Sequence, residues 1–266
     1  MKKIVIITGA SSGMGAEFVR QVHTKMQNKP DVKDIEMWLI AYDKQGLDAI
    51  EKELGNTIKI RSFAMDLSGV DGVRRVEKLL KDEAKQGKFI IDLLINDAGF
   101  GTYGPFIETD PYRETAMVDL NCTALTGLCG IALPYMKHGC RIINVASLAA
   151  FMPLGNFAVY AATKSYVLSF SMGLAAELKE RGIGVCALCP GSVSTNFANV
   201  ASNGKRKLVW HGLSPQKVVA HCLRTSERGG RIAIWALKWK LAAFFSRFVG
   251  RYTGARFTFL YHKRPH

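Results

Sequence analysis

The sequence predicts an α/β fold in which helices cover both faces of a parallel sheet, the doubly wound arrangement, and two observations support this prediction. Short apolar runs alternate with longer amphipathic stretches along most of the 266-residue chain. The runs are apolar at successive positions, which is typical of strands buried on both faces. Hydrophobic residues make up 48% of the chain, so a sizeable core is expected. The length allows one large domain or two small ones, and single α/β domains of this size are ordinary.

The order of the predicted elements indicates where a ligand would bind. Apolar runs predict strands over residues 2–8, 35–41, 57–63, 90–96, 140–147, 184–190 and 231–236. The stretches that predict helices are 14–28, 44–54, 70–86, 110–137, 157–181 and 214–227. In a doubly wound fold, ligands bind beyond the carboxyl ends of the strands. Residues that directly follow a strand are therefore the first candidates for a site.

The first strand–helix junction has the composition of a phosphate-binding turn. Gly9, Gly13 and Gly15 lie in the stretch TGASSGMG, which opens the first predicted helix. Glycine lets the backbone turn sharply and approach a ligand closely, and a helix N-terminus offers free N–H groups to an anion. The spacing is neither the Walker pattern nor GxGxxG. A flexible turn is the alternative, but the position at the first junction favours a phosphate site.

A tyrosine and a lysine stand four residues apart on the predicted helix 157–181. Tyr160 and Lys164 are therefore neighbours on one helix face. The pattern is common by chance, and a surface pair is the plain alternative. A phenol ordinarily titrates near pH 10, and a neighbouring ammonium favours its ionised form, which can act as a general base. Ser147 ends a predicted strand 13 residues upstream of Tyr160, so strand and helix can bring all three groups to one cleft.

With these motifs in this order, roughly residues 3–195 resemble the classical short-chain dehydrogenase/reductase family. The resemblance implies a Rossmann-type single domain with about seven strands, and interconversion of a secondary alcohol and a ketone by hydride transfer with NAD or NADP. It implies a catalytic set of Asn121, Ser147, Tyr160 and Lys164. The cofactor-binding residues that it implies are Gly9, Ser11, Ser12, Gly13, Met14, Tyr42, Asp43, Asp66, Leu67, Asn96, Ala98, Gly99, Tyr160, Lys164, Pro190, Gly191, Val193 and Thr195.

The resemblance also assigns roles and shows departures. It implies that Lys164 holds the nicotinamide ribose and that Asn121 anchors a water linked to that lysine. Asp97 stands where the family's Asn-Asn-Ala-Gly motif has its second Asn, and the residues after Asn121 differ from the usual glycine-containing run. Residues 1–190 are expected to form the dinucleotide-binding and catalytic core. Residues 191–266 are expected to add a substrate lid, a last helix and strand, and a basic aromatic tail to the same domain.

The residues after the second strand favour NAD over NADP. An acid at this point commonly binds the ribose 2′-hydroxyl, whereas an arginine accepts a 2′-phosphate. Tyr42 occupies the position where NAD enzymes of the family usually place Asp, and Asp43 follows it. A 2′-phosphate beside Asp43 would meet like charge. NAD is therefore the expected cofactor, while Lys44 leaves NADP as an alternative.

The net charge of +14 comes from the last third of the chain. Residues 181–266 hold 15 Lys/Arg and a single acid, Glu227. Such an asymmetry indicates an anionic partner, although a solvated basic face is the alternative. In the predicted lid, about 192–213, the basic residues Lys205, Arg206 and Lys207 are candidates for binding a carboxylate or phosphate. This suggests a lipophilic, acidic substrate such as a hydroxysteroid or an acyl compound. His211 in the same segment has no assigned role.

The aromatic and basic tail allows two readings. Its aromatics could pack on a subunit partner, since the resemblance implies a homodimer or homotetramer through the helices near 110–137 and 157–181. Alternatively, an amphipathic helix near 236–250 could lie on an anionic membrane. Nucleic acid is not expected, because residues 1–180 carry balanced charge and no recognition motif is present.

The remaining observations concern location, metals and rival functions. Six cysteines include Cys186 and Cys189 in a buried-strand pattern, so reduced thiols and a cytoplasmic location are expected, with the inner membrane surface as an alternative. No metal site is expected, and no transmembrane stretch of 18 apolar residues is expected. The alternative functions are a 3-oxoacyl (carrier-protein or CoA) reductase and a non-catalytic dinucleotide-binding protein docked on a membrane.

Overall fold

A seven-stranded parallel sheet organises the chain in the computed structural model, which describes residues 1–206 and 212–263. The strand order is β3-β2-β1-β4-β5-β6-β7. The strands are β1 (Lys2–Thr8), β2 (Ile35–Ala41), β3 (Lys59–Ala64), β4 (Phe89–Asn96), β5 (Arg141–Val145), β6 (Gly184–Leu188) and β7 (Ile232–Ala233). The doubly wound, Rossmann-type single-domain fold predicted from the sequence is confirmed.

Helices cover both faces of the sheet. They are α1 (Gly13–Met26), α2 (Lys44–Leu54), α3 (Gly69–Gln86), α4 (Pro111–Val118), α5 (Leu125–Ala132), α6 (Ala158–Glu177), α7 (Phe197–Ala201), α8 (Pro215–Glu227), α9 (Leu237–Phe245) and α10 (Arg251–Tyr261). Helices α1, α2 and α8 pack on one face, and their buried residues include Phe18, Leu47 and Val218. Helices α3, α5 and α6 pack on the other face through residues such as Leu80 and Leu128. Two separate apolar layers therefore enclose the strands.

Strand register places the ligand-binding edge. Strand β1 pairs with both β2 and β4, and Thr8 at its end lies opposite Ile40 and Asn96. The chain winds in opposite directions on either side of this central strand, so a crevice opens beyond the ends of β1 and β4. The predicted glycine-rich turn follows β1 directly and therefore lies in that crevice.

The predicted long helix 110–137 is divided in the structure. Between α4 and α5 the chain forms a π-helical turn, Asp119–Ala124, and a 3-10 turn, Leu133–Tyr135, follows α5. By length and apolar composition alone, Pro111–Tyr135 would be long enough to cross a membrane, contrary to the expectation that no such stretch exists. Its inward residues Met117, Leu125 and Leu128 are buried against the rest of the fold, so we interpret it as a core segment.

The C-terminal region joins the same sheet and then folds over one end of it. Strand β7 is shorter than the predicted segment 231–236, whereas the predicted helix near 236–250 is present as α9 followed by a 3-10 turn, Ser246–Phe248. The sequence did not predict α10. The loop after β5 binds to α10, since Gly155 N donates to Thr258 Oγ1 over 2.8 Å and Asn156 Nδ2 donates to Phe259 O over 3.0 Å.

Candidate active site

A cavity of about 640 Å³ lies at the carboxyl edge of the sheet and brings most of the predicted site residues together. Those that line it are Gly9, Ser11, Ser12, Gly13, Met14, Tyr42, Asp43, Asp66, Leu67, Ala98, Gly99, Ser147, Tyr160, Lys164, Pro190, Gly191, Val193 and Thr195. Two predicted residues, Asn96 and Asn121, do not line it. The cavity therefore joins residues that follow β1, β2, β4, β5 and β6 in one space.

The glycine-rich turn forms a cradle that larger residues would fill. Gly9 and Gly13 have φ values of +68° and +57°, which side-chain-bearing residues rarely adopt. A Cβ on Gly9 would meet the backbone of Ala98 at 2.9 Å, and a Cβ on Gly15 would overlap the carbonyl oxygen of Gly9. Ser12 begins α1 with an extended backbone, and its side chain makes no capping bond to the described residues. The first turn of α1 therefore keeps the N–H groups of Gly13 and Met14 for an anion such as a pyrophosphate, whereas the N–H of Gly15 bonds to Asp97.

The opposite end of the cavity has the polar groups that a nucleoside needs. Tyr42 and Asp43 follow β2 and are exposed, Tyr42 at 84%. Asp66 Oδ1 accepts the backbone N–H of Ser68 over 2.9 Å, and this bond lowers the pKa of the Asp66 carboxyl. Leu67 is buried beside it. Of the described residues that line the cavity, the cations are Lys164 and Arg206, and neither belongs to this end.

Tyr160 lies in a cluster of aromatic rings. Its ring stacks on Phe157 with centroids 4.1 Å apart and an interplanar angle of 19°, and it meets Phe197 at 5.4 Å. Phe157 in turn packs on Tyr103 at 4.7 Å. Tyr160 is 7% exposed, and its ring contacts both of these phenylalanine rings. Ser147 follows β5, lines the same cavity, and its Oγ accepts the N–H of Ala149 over 3.1 Å.

Lys164 is buried one turn beyond Tyr160. Its Nζ lies 5.7 Å from the Tyr160 ring centroid and donates to Val145 O over 2.8 Å. Burial lowers the pKa of Lys164 to about 8, although the charge on Asp97 opposes that shift. The side chain is therefore still mainly an ammonium at neutral pH and becomes neutral above about pH 8.

Asp97 gives this site a buried carboxyl group that the family motif lacks. The residue is half-buried, but its Oδ1 is inaccessible and has no hydrogen-bond partner among the described residues. Burial raises the pKa of the Asp97 carboxyl to about 7, with Lys164 and the backbone N–H of Gly15 acting in the opposite direction. Asp97 thus lies between the first turn of α1 and the buried ammonium.

Asn121 lies behind the cavity, in the π-helical turn. Its Oδ1 accepts the N–H of Phe100 over 3.1 Å, while its Nδ2 donates to Phe100 O over 3.0 Å and to Thr163 Oγ1 over 3.1 Å. A Cβ on Gly99 would meet Asn121 Oδ1 at 2.7 Å and Lys164 Nζ at 3.6 Å. Asn121 and Lys164 therefore approach the same glycine, whose missing side chain makes room for both.

Asn96 occupies a structural position. Its Nδ2 donates to Asn144 Oδ1 over 2.9 Å, and Asn144 Nδ2 donates to Ser171 Oγ over 3.0 Å. Both asparagines are buried beneath the ends of adjacent strands. The amide of Asn96 therefore joins β4 to β5, and its predicted cofactor contact stays a prediction.

Several cavity residues were not predicted from the sequence. Phe157 and Phe197 form the aromatic wall, and Trp239, Ala242, Ala243 and Ser246 of α9 and the turn after it close one side. The Trp239 indole lies on Gly191, where a Cβ would overlap the ring. Phe157 directly precedes α6, three residues before Tyr160, and was detectable from that spacing. The α9 residues were not, because only packing brings that helix over the cavity.

The basic lid is partly described. Arg206 lines the cavity, and its backbone N–H donates to Ser202 Oγ over 2.7 Å. Lys205 precedes it, while Lys207 and His211 lie outside the described residues. Within residues 1–206 and 212–263, no cluster of His, Cys, Asp and Glu is suited to a metal ion, and all six cysteines are free thiols.

Comparison with known proteins agrees with this geometry. Residues 3–206 match the family model described as short chain dehydrogenase. The chain is 27% identical over 231 residues to very-long-chain 3-oxoacyl-CoA reductase-A of Danio rerio, covering 84% of this chain and 66% of that protein. It is 28% identical over 228 residues to serine 3-dehydrogenase of Agrobacterium fabrum, covering 81% and 83% of the two chains.

A solved structure shares the fold over nearly the whole chain. The short-chain dehydrogenase from Sphingobium yanoikuyae in complex with NADPH superposes with a TM-score of 0.77 and 28% identity, covering 92% of this chain and 94% of that one. The family match extends over more than half of the sequence. The chain belongs to the short-chain dehydrogenase family, oxidoreductases that act on CH–OH groups with NAD or NADP.

Proposed function

We propose that this protein interconverts a secondary hydroxyl and a ketone on a lipophilic substrate that carries an acidic group, with NAD(H) as cofactor. The observation that carries the proposal is one cavity in which Ser147, Tyr160 and Lys164 meet an aromatic wall and Arg206. The polar set suits proton transfer to a carbinol oxygen, and the wall suits an apolar substrate body. Arg206 adds a permanent positive charge for a carboxylate or phosphate.

In the proposed reaction, Tyr160 exchanges a proton with the substrate oxygen. A bound nicotinamide dinucleotide supplies the hydride acceptor or donor. During oxidation the Tyr160 phenolate accepts the hydroxyl proton, and during reduction the phenol returns it. Ser147 Oγ accepts the N–H of Ala149, which leaves its own hydrogen available for donation to the substrate oxygen, where charge develops.

Lys164 acts in the proposal through its charge and its remaining N–H groups. One N–H of Nζ is held by Val145 O, which fixes the ammonium close to the Tyr160 ring. The ammonium favours the phenolate and would hold the nicotinamide ribose. The predicted role of Asn121 in anchoring a water stays a prediction. In the structure, the side-chain amide of Asn121 donates to Phe100 O and Thr163 Oγ1.

The proposed cofactor is NAD(H), because the described residues that line the adenosine end of the cavity include Asp43 and no cation. A 2′-phosphate near Asp43 would be repelled, whereas a ribose hydroxyl can donate to the carboxylate. The test is the ratio of Kd values for NADH and NADPH, measured by fluorescence. Tighter NADPH binding would overturn the choice, and Asp43→Arg is expected to move the ratio towards NADPH.

The substrate class is tested with a panel of secondary alcohols and ketones, followed by the absorbance of the reduced nicotinamide. We expect acidic lipophilic substrates to react best, and Arg206→Gln to raise KM for them by about tenfold while leaving neutral analogues unchanged. Equal turnover of neutral and acidic substrates, with no effect of Arg206→Gln, would remove the acidic group from the proposal.

A 3-oxoacyl reductase activity is the second candidate. It is favoured by the similarity to the 3-oxoacyl-CoA reductase of Danio rerio and by the aromatic wall of the cavity. It predicts turnover of acyl thioesters and none of hydroxysteroids, so the same panel separates the two. A non-catalytic dinucleotide-binding protein would show cofactor binding with no turnover of any class. We also propose a homodimer or homotetramer, to be tested by light scattering.

A further inference from the structure

The outward surface of the two C-terminal helices is apolar and basic at once. Of the 21 large hydrophobic side chains exposed among the described residues, 11 lie within residues 237–261. We define the C-terminal face as these residues: Leu237, Leu241, Phe244, Phe245, Phe248, Val249, Tyr252, Phe257, Phe259, Leu260 and Tyr261. The cations Lys238, Lys240, Arg247, Arg251, Arg256 and Lys263 are exposed on the same segment, and no acid follows Glu227.

The packing of α9 and α10 against the rest of the protein leaves the side chains of the C-terminal face exposed. Helices α9 and α10 bury Ala243, Gly254 and Thr258, which are small residues. Two rings of the C-terminal face instead make cation–π contacts. The guanidinium carbon of Arg247 lies 4.8 Å from the Phe244 ring centroid, and that of Arg256 lies 5.5 Å from the Phe259 ring centroid. Aromatic rings alternating with Lys and Arg are the composition of a protein surface that lies between lipid headgroups and acyl chains.

Helix α9 connects this surface to the active-site cavity. Trp239, Ala242, Ala243 and Ser246 line the cavity and recur at the spacing of one helical face. Leu237, Leu241, Phe244 and Phe248 recur on the opposite side of the same stretch, with exposed fractions of 70%, 46%, 47% and 72%. Only the width of helix α9 therefore separates the cavity from the exposed apolar surface.

A second copy of this chain fits the C-terminal face poorly. A two-fold interface places the same patch against itself, so six cations would face six cations with no acid to pair them. A nucleic acid would satisfy the charge and stack on the rings, but Leu237, Leu241, Val249 and Leu260 offer no stacking surface. An anionic bilayer satisfies both features, because headgroups pair with the cations and acyl chains cover the aliphatic and aromatic side chains.

We propose that α9, the turn after it and α10 bind an anionic lipid bilayer in its plane, so that the cavity wall formed by α9 lies next to the lipid. Binding itself does not depend on the reaction proposed above; only the delivery of a lipophilic substrate from the bilayer rests on that proposed function. The surface lies on the bilayer and does not span it, since the two helices are 9 and 11 residues long.

The test is co-sedimentation of the full chain with vesicles of phosphatidylcholine, with and without phosphatidylserine. We expect binding to the anionic vesicles that weakens at high salt, and little binding to phosphatidylcholine alone. Phe248→Ser with Tyr252→Ser removes two outward rings that are 72% and 80% exposed, and is expected to weaken binding by at least about tenfold. Arg247→Gln with Arg251→Gln is expected to do the same.

A matched control removes apolar side chains elsewhere. Val70→Ser with Tyr112→Ser, at residues 55% and 82% exposed on α3 and α4, is expected to leave vesicle binding unchanged. The proposal would be overturned if the control variant lost as much vesicle binding as Phe248→Ser with Tyr252→Ser. Absence of binding to anionic vesicles would also overturn it. Concentration-dependent self-association that Phe248→Ser with Tyr252→Ser abolishes would assign the face to a second copy. Tight binding of a single-stranded oligonucleotide that the same variant loses would assign it to nucleic acid.

Dinucleotide binding of each variant is measured in the same preparations. Retained NADH binding with no vesicle binding would refute the docking surface alone. Vesicle binding with no turnover of any substrate would refute the proposed reaction alone. The two proposals therefore fail in distinguishable ways.

Discussion

The central strands and the C-terminal helices use similar apolar residues for opposite purposes. Every residue of β2 is buried, and in β1 the five residues from Ile4 to Thr8 are buried. Helices α9 and α10 instead bury three small residues and expose most of their rings. Burial of apolar surface stabilises a fold by roughly 25 cal/mol per Å². The rings of the C-terminal face therefore contribute little to the free energy of folding, which leaves them available for contact with a ligand or surface.

The two regions also differ in charge. Residues 1–180 carry as many acids as Lys and Arg, and buried acids such as Glu36 are paired: its carboxylate contacts Lys2 and Arg61 at 2.7 and 3.3 Å. Hydrogen bonds from Lys2 and Trp38 outweigh burial and lower the pKa of Glu36 to about 2. The C-terminal region has no such partners after Glu227. Charge in the sheet region is internally compensated, and charge in the C-terminal region is not.

The largest expected effect comes from Tyr160, whose phenolic oxygen is proposed to transfer the proton. Tyr160→Phe keeps the stacking on Phe157 and removes the phenolic oxygen. We expect turnover to fall by about 10³-fold, within the range for loss of a general acid–base, while the Kd for NADH changes by less than about threefold. Steady-state kinetics and fluorescence titration measure the two. Turnover near the unmodified level would show that another group transfers the proton.

The next effect concerns the glycine cradle. Gly15→Ala places a methyl against the carbonyl oxygen of Gly9 and 2.9 Å from Asp97 Oδ2. We expect a loss of about 1–3 kcal/mol in the free energy of unfolding, together with weaker dinucleotide binding. Denaturant unfolding and NADH titration measure both.

Gly130→Ala in α5 is the matched control for the cradle variant. In the described structure, a Cβ at Gly130 meets nothing within 4 Å. This change is expected to raise stability by about 0.5–1 kcal/mol, because alanine loses less conformational entropy in a helix. If Gly15→Ala and Gly130→Ala changed stability and NADH binding equally, the glycine cradle would have no special role.

A smaller effect is expected from Asp97. The Asp97 charge raises the pKa of Lys164 against the opposing effect of burial, so Asp97→Asn should lower that pKa further. Lys164 then loses its proton at lower pH, and the alkaline decline of kcat/KM should move to lower pH by about one unit. The measurement is the pH profile of both proteins over pH 6 to 10 (a range centred near the Lys164 pKa of about 8). An unchanged profile would show that the Asp97 charge does not set the pH at which activity declines.

The sequence predicted the features that depend on neighbouring residues. Apolar runs marked the strands, and Gly9, Gly13, Ser147, Tyr160 and Lys164 lie at strand ends or one helical turn apart, so local spacing was sufficient. Their positions in one cavity follow from the parallel sheet, which places all carboxyl ends at one edge.

Features that depend on distant contacts were not predictable in this way. The π-helical turn at Asn121 is accompanied by bonds to Phe100 and Thr163, 21 and 42 residues away. The perturbed pKa of Asp97 depends on burial beneath α1, and composition gives no measure of that. Trp239 lies over Gly191 only because α9 folds back across the cavity, 48 residues further along the chain. Sequence patterns report local geometry, whereas these residues depend on which segments meet.

The last comparison is between the inner and outer sides of the C-terminal region itself. Thr258 Oγ1 accepts the N–H of Gly155 and donates to the carbonyl of Gly254 or Ala255, so Thr258→Val leaves that N–H without its partner. We expect a loss of about 1–3 kcal/mol, measured by denaturant unfolding. The outward pair Phe248→Ser with Tyr252→Ser should stay within about 0.5 kcal/mol of the unmodified protein. If the outward pair instead lowered stability as much as Thr258→Val, its rings would be part of a packed interface of the protein alone, and the contrast between a folded interior and a free C-terminal face would not hold.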